Sequence, residues 1–224
     1  MMKPVSKRNA SPALLALLAW LSLGACDNSQ TAQSDTLING TPTDAELADL
    51  DANISLSTHF ATPNADGKFS TTIDTIFNGS FEDDSGNGYA VEISRKDTAF
   101  NAKVGVIQSS DPGDFPINGG ANMQGSYQVA EVGKSDGDFR EFGEVAVTEG
   151  RISLYADFEH GTLHGDSDDL IIDGLFTSNT LTGNAYFKQR EADLTGLVGE
   201  DRAIGVFHGS DAATAFVGGF LVER

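Results

Sequence analysis

The chain has little cysteine, little positive charge and no apolar run long enough to cross a bilayer. One cysteine in 224 residues allows no internal disulfide and no cysteine-built zinc cage. Fourteen Lys and Arg stand against 33 Asp and Glu, for a formal net charge of −19. Such a polyanion repels phosphates, which excludes nucleic acid as an expected partner. The uncharged run Ala13–Leu23 is well short of the roughly 20 residues a spanning helix needs. Glycine, by contrast, is plentiful at 25 residues, and hydrophobic residues make up 39%. That balance predicts a folded, turn-rich chain rather than a disordered one.

Charge is unevenly placed at the start. Lys3, Lys7 and Arg8 precede every acidic residue, and the apolar run follows them. A basic start before a short apolar run is the pattern of a secretory signal peptide. Leu23-Gly24-Ala25-Cys26 then resembles the lipobox of bacterial lipoproteins. The resemblance implies cleavage after residue 25 and a diacylglycerol on the Cys26 sulfur, so the expected partner at this end is a membrane. Several acyl chains bury enough CH₂ groups to hold a protein there firmly. Cleavage removes three positive charges and leaves 199 residues with a net charge of −22. The lipobox points to a lipid-anchored protein of the cell envelope, at the outer membrane on its surface or periplasmic face. Asp27 leaves inner-membrane retention as the alternative.

The rest divides into three stretches. Residues 26–53 read as a lipidated polar tether, with a helical turn or two at Thr43–Leu50 suggested by the Thr43/Glu46 capping pair. Residues 54–116 read as a small, handle-like β region. Its short runs are Ile54–Ser57, part of Phe69–Phe77, Tyr89–Ile93 and Lys103–Ile107, with a turn at Glu82–Gly88 and a break at Ser109–Pro116. From residue 117 apolar residues alternate with polar ones over seven or eight segments. Ile152, Leu154, Ala156 and Phe158 share one face, as do Leu170, Ile172, Gly174 and Phe176, and likewise Phe216, Gly218, Phe220 and Val222. Lys134–Asp138, Glu149–Gly150, Glu159–Gly161 and Gly209–Asp211 read as the turns between them. Glycine falls on the inward parity, where it makes room for a facing ring and lets strands coil. This favours a small closed antiparallel barrel over a flat sandwich. Outward positions hold Arg151, Asp157, Asp173, Asn184 and Asp193, so the barrel is expected to face water. The fold class expected is all-β.

Particular segments carry a family resemblance. Asp157-Phe158-Glu159-His160-Gly161-Thr162-Leu163-His164-Gly165 is similar to the DF-x-x-G-x-x-x-G hairpin of transferrin-binding protein B-like lipoproteins. Leu181–Phe187 resembles the element that follows, Ala203–Phe220 the closing hairpin, and Asn118–Tyr127 the first barrel strand. The resemblance covers about residues 117–224. It implies an eight-stranded barrel behind a smaller β region, in an envelope lipoprotein that binds a host protein or an iron- or haem-related ligand. The chain departs from that family in length, because it has room for one barrel where transferrin-binding proteins carry two lobes.

Candidate chemistry is sparse. His59 and His208 stand alone in the sequence, while His160 and His164 flank one turn and suit zinc or haem only if a third ligand joins them. None is evident, so no metal site and no cofactor is assigned. Asp166–Asp169 and Asp136–Asp138 lack the distal Glu of a calcium loop. No Gly-x-Ser-x-Gly elbow occurs, and His208-Gly209-Ser210-Asp211 places triad residue types side by side, where they cannot face one another. Tyr89, Tyr127, Tyr155 and Tyr186 are candidate recognition aromatics, and of these Tyr155 and Tyr186 sit on the parity opposite the expected core. The candidate ligand-binding residues are therefore Tyr155, Tyr186, His160 and His164. The sequence reads as a non-enzymatic binding lipoprotein whose barrel holds turns such as 134–144 and 159–169 toward a protein or iron/haem-related ligand. The alternative is a structural or assembly lipoprotein of the envelope with no small-molecule ligand.

Overall fold

Strict alternation in the sequence becomes strict alternation in space. A computed structural model describes residues 55–70, 74–96, 99–116, 118–133 and 144–224. All of them fall within one compact unit, Pro42–Arg224. The expected signal peptide, Cys26, the expected tether and the expected Lys134–Asp138 turn lie outside the described residues. The described residues form twelve strands: β1 Ser55–Phe60, β2 Asp74–Glu82, β3 Gly88–Lys96, β4 Ala99–Val106, β5 Gly120–Gly133, β6 Val145–Asp157, β7 Thr162–Asp166, β8 Leu170–Thr177, β9 Thr180–Phe187, β10 Arg190–Val198, β11 Arg202–Ser210 and β12 Thr214–Glu223. Along β8 every second residue is buried, from Leu170 to Phe176, and every other one is exposed.

Strands β5 to β12 run as an antiparallel meander, and β12 returns to pair with β5. This is the closed eight-stranded barrel expected from the sequence. Strands β1 to β4 form a separate mixed sheet in the order β1-β4-β3-β2, with β1 parallel to β4. No described helix is long and apolar enough to cross a membrane.

The barrel is filled by its own side chains. Met123, Leu154, Leu163, Ile172, Phe187, Phe207 and Phe220 belong to one buried cluster inside it. Glycines do the spacing work anticipated above. On the inner faces of β11 and β12, Gly205 lies opposite Phe220, Phe207 opposite Gly218, and Gly209 opposite Phe216. A Cβ at Gly205 would stand 2.2 Å from the Phe220 ring. Each ring therefore lies over a residue with no side chain, and large and small alternate to fit the taper.

One expected turn is wrong for the same reason. Glu149–Gly150 lies inside β6, paired with Gln128 and Tyr127 of β5. Gly150 is there because the Tyr127 ring crosses it, 2.5 Å from where a Cβ would sit. A glycine beside a polar residue looks like a turn, but here it serves a cross-strand aromatic pair.

Both ends of the barrel are closed by rings. At one end Phe115, from the segment between the sheets, packs edge-on against Phe158 and Phe176, with centroids 5.9 and 5.8 Å away. At the other end the Arg190 guanidinium sits 4.7 Å from the Phe216 centroid, and Lys188 lies 4.7 Å from that of Phe187. Both cations bond Glu131. Burial pushes the Glu131 carboxyl up, but the bond and charge of Arg190, then of Lys188, outweigh it and hold the group below its ordinary value.

These cations flank the tight turn between β9 and β10. Lys188 and Gln189 have φ of 49° and 67°. That is the left-handed pair of a two-residue hairpin, where Asn-Gly is preferred. Gln189→Gly removes the left-handed strain and is expected to raise stability by roughly 0.5–1 kcal/mol in urea denaturation. An unchanged or lower midpoint counts against strain at this turn.

A second core joins the two sheets. Tyr89, Val91, Ile93 and Val104 of the small sheet pack with Ile204, Val206, Ala215 and Val217 on the outer faces of β11 and β12. These two barrel strands are thus buried on both sides, and β12 is buried from Ala215 to Val222 without a break. The Tyr89 ring covers Gly219, 2.5 Å from its absent Cβ. Arg202 bridges the layers to Asp83 at 2.6 Å.

Candidate binding surface on the barrel wall

Barrel order decides which wall is free. The small sheet covers β11 and β12, so the wall centred on β7 and β8 lies on the opposite side. Cross-strand register then places outward side chains in rows. One row runs Tyr155, His164, Asp173, Asn184, Asp193, His208 across β6 to β11. A neighbouring row holds Asp166, Ile171, Tyr186 and Glu191.

Three of the four sequence candidates fall on this wall. Tyr155 is exposed and lies directly opposite His164. Tyr186 is half-buried and lies opposite Ile171, one row away. The Tyr155 ring reaches over Gly120, whose missing Cβ would stand 2.3 Å from the hydroxyl. The hydroxyl end of the ring thus lies against the β5 backbone, while the residue stays 46% exposed.

His160 sits in the β6–β7 turn, and the hairpin gives each imidazole a carboxylate of its own. His160 Nδ1 is 2.8 Å from Asp157 Oδ2, while His164 Nδ1 is 3.2 Å from Asp173 Oδ1. Asp157 also accepts the backbone N–H of Glu159 and of His160, which fixes the turn. The side-chain bond to His160 is the main reason the Asp157 carboxyl lies below its ordinary value, and the bond to Asp157 raises His160 above its own. The pair is engaged at pH values between the two groups' titrations. Among the described residues no group of three His, Cys, Asp or Glu is placed to hold a metal ion.

Tyr89 and Tyr127 are core residues and are removed from the recognition set. The Tyr89 hydroxyl is enclosed, and burial raises its pKa against the smaller opposing effect of the Gln128 backbone. The segment 159–169 also does more than bound one loop. Its first turn precedes β7, and Ser167–Asp169 follows the other end of that strand, where Asp166 pairs with Ser153 in the middle of β6. The acidic turn Asp166–Asp169 is closed by its own serine, whose N–H donates to the Leu170 carbonyl at 2.8 Å.

Sequence reading missed Ile171 and Leu175. They are 50% and 61% exposed, the most exposed large apolar residues described. Their signal was available: in Leu170-Ile171-Ile172-Asp173-Gly174-Leu175-Phe176 the outward parity carries two aliphatic residues around one Asp. With Tyr155 they give the wall apolar contacts set among the carboxylates of Asp157, Asp166 and Asp173. Such a mixture suits protein recognition, where aromatic and aliphatic anchors sit within a polar rim.

No family model matches the chain, and no curated protein matches it. Solved structures do. A mutant of transferrin-binding protein B from Haemophilus parasuis is 12% identical, with a TM-score of 0.43, over 70% of this chain and 39% of that one. Transferrin-binding protein B from serogroup B Neisseria meningitidis is 14% identical, with a TM-score of 0.38, over 70% of this chain and 36% of that one. The fold is similar to part of transferrin-binding protein B. HpuA from Kingella denitrificans, solved in complex with human haemoglobin, is 14% identical, with a TM-score of 0.35, over 69% of this chain and 59% of that one. The chain thus spans less than two thirds of the length of each of these structures.

Proposed function

We propose that the protein is a non-enzymatic cell-envelope lipoprotein, attached through a lipid on Cys26, whose barrel binds a protein partner along the β6–β9 wall. The observation that carries the binding role is the exposure of Ile171, Leu175 and Tyr155 on the one wall that the small sheet leaves free. Both barrel ends are closed by rings and the interior is packed, so recognition is assigned to the outer wall. Attachment is supported by the lipobox-like Leu23–Cys26. The sequence resemblance makes iron- or haem-carrying proteins the first partners to try.

The test uses the full chain in detergent against immobilised transferrin, haemoglobin and haem. Leu175→Asp and Ile171→Asp are exposed changes, expected to shift stability by under about 0.5 kcal/mol. One of the three baits should be retained, and each variant should weaken that retention by about tenfold or more. Retention that survives both changes removes the wall from the reading. No retention of any bait, together with co-purification of envelope proteins from extracts, favours the assembly role instead. Cys26→Ser is expected to move the protein from the membrane fraction to an unprocessed or soluble form. Unaltered membrane retention defeats the anchor.

A further inference from the structure

The small sheet does not cover the barrel evenly. Beside β1 it leaves a groove along the outer face of β10 and β11, in two adjoining parts. The first has a volume of about 400 Å³ and takes its apolar lining from Phe60, Val106, Leu197 and Val206. The second has a volume of about 480 Å³ and contains Glu191 and Asp193. Both carboxylates are exposed, and no Lys or Arg lines either part.

His208 forms the partition. Its Nδ1 lies 3.1 Å from Thr58 Oγ1, and the Phe60 ring meets the imidazole edge-on with centroids 4.2 Å apart. The ring is half-buried, and burial pulls its pKa below the ordinary histidine value despite the nearby Asp193; His59 pulls it down further. It is therefore mostly neutral at pH 7 and leaves the charge of Glu191 and Asp193 uncompensated.

We propose that this groove binds an extended segment of a partner protein that presents an apolar side chain next to a Lys or Arg. The apolar residue enters beside Phe60 and Leu197, and the cation meets Glu191 and Asp193. Charge complementarity selects this occupant. The chain's own stretch 26–53 is unsuited, since it carries six acidic residues and no Lys or Arg. Among the described residues, β1 pairs only with β4, so its other edge offers backbone donors and acceptors to an added strand. The groove differs from the β6–β9 wall in its residues, which come chiefly from β1, β4, β10 and β11.

The test is fluorescence anisotropy with the full chain and a labelled Leu-Ser-Phe-Ser-Lys-Ser-Arg peptide. Binding is expected, and Glu191→Gln with Asp193→Asn should weaken it by about tenfold or more, as should Phe60→Ser. The control double variant Asp84→Asn with Glu144→Gln removes two exposed carboxylates elsewhere and should leave affinity within about twofold. If the control weakens binding as much as the groove variants, the peptide senses only net charge and the proposal fails. Equal binding of a peptide with Glu in place of Lys and Arg also overturns it, as does no binding up to about 1 mM. Competition by N-acetyl-arginine amide at the peptide's own concentration range would reduce the site to a cation pocket and overturn the segment assignment. The readout does not involve transferrin, haemoglobin or haem, so its failure is distinct from a failure of the wall.

Discussion

Phe220→Ala is expected to lower the unfolding free energy by about 3–5 kcal/mol, toward the upper end of that range. The ring is fully buried on the inner face of β12 and lies opposite Gly205. Core truncations cost most where neighbours cannot relax into the space. Here the residue across the ladder has no side chain to move, so the cavity persists against bare backbone. For a domain with a total stability of about 5–15 kcal/mol, that is a large fraction. Gly205→Ala alone pushes a methyl to within 2.2 Å of the ring and should cost about 1–3 kcal/mol by overpacking. In the double variant the methyl occupies space the ring has left. The pair should therefore cost less than the sum of the single changes, by about 0.5–3 kcal/mol. Urea denaturation of the four proteins measures this, and strict additivity would show that ring and glycine do not share the space.

The same pairing explains which parts of the fold were legible in the sequence. On β8, β9 and β10 one face meets the core and the other meets water, so period two is visible in the residues themselves. Tyr155 and Tyr186 could be placed outward from parity alone, and the structure puts them there. On β11 and β12 the reading was half complete. The inward Phe216, Gly218, Phe220 and Val222 were recognised, but Ile204, Val206, Val217 and Leu221 fill the opposite parity with apolar residues. That run is the mark of a strand covered on both faces, and it went unread as the docking site of the small sheet. Gly150 was misread because local turn chemistry and an aromatic-facing glycine look alike in one dimension. The groove at His208 was out of reach, since Thr58 and His208 are 150 residues apart in sequence. Their meeting depends on how one sheet packs on another.

That packing can be broken with one charge. Val217→Asp is expected to destabilise the junction by at least about 4 kcal/mol, because a carboxylate is placed where no partner or water reaches it. Val217 is fully buried on the outer face of β12, in the cluster that includes Val91, Ile93 and Val104. The two sheets should respond differently. The barrel keeps its internal core, none of which Val217 touches from its outward position. Among the described residues the face carrying Tyr89, Val91, Ile93 and Val104 has no other layer to bury against, so the small sheet is not expected to hold its structure once that face lifts away. Hydrogen exchange should show loss of protection in β3 and β4 while β6 to β9 stay protected. The penalty should shrink as pH falls. Burial raises the folded-state pKa of the introduced carboxyl above its unfolded value of about 3.9, so the folded form binds the extra proton and stability drops as pH rises through that window. Val147→Asp, at a 43% exposed position on β6, should change stability by under about 0.5 kcal/mol. If Val217→Asp instead unfolds both sheets in one transition, the barrel depends on the small sheet, and the junction is part of its core rather than a docking surface.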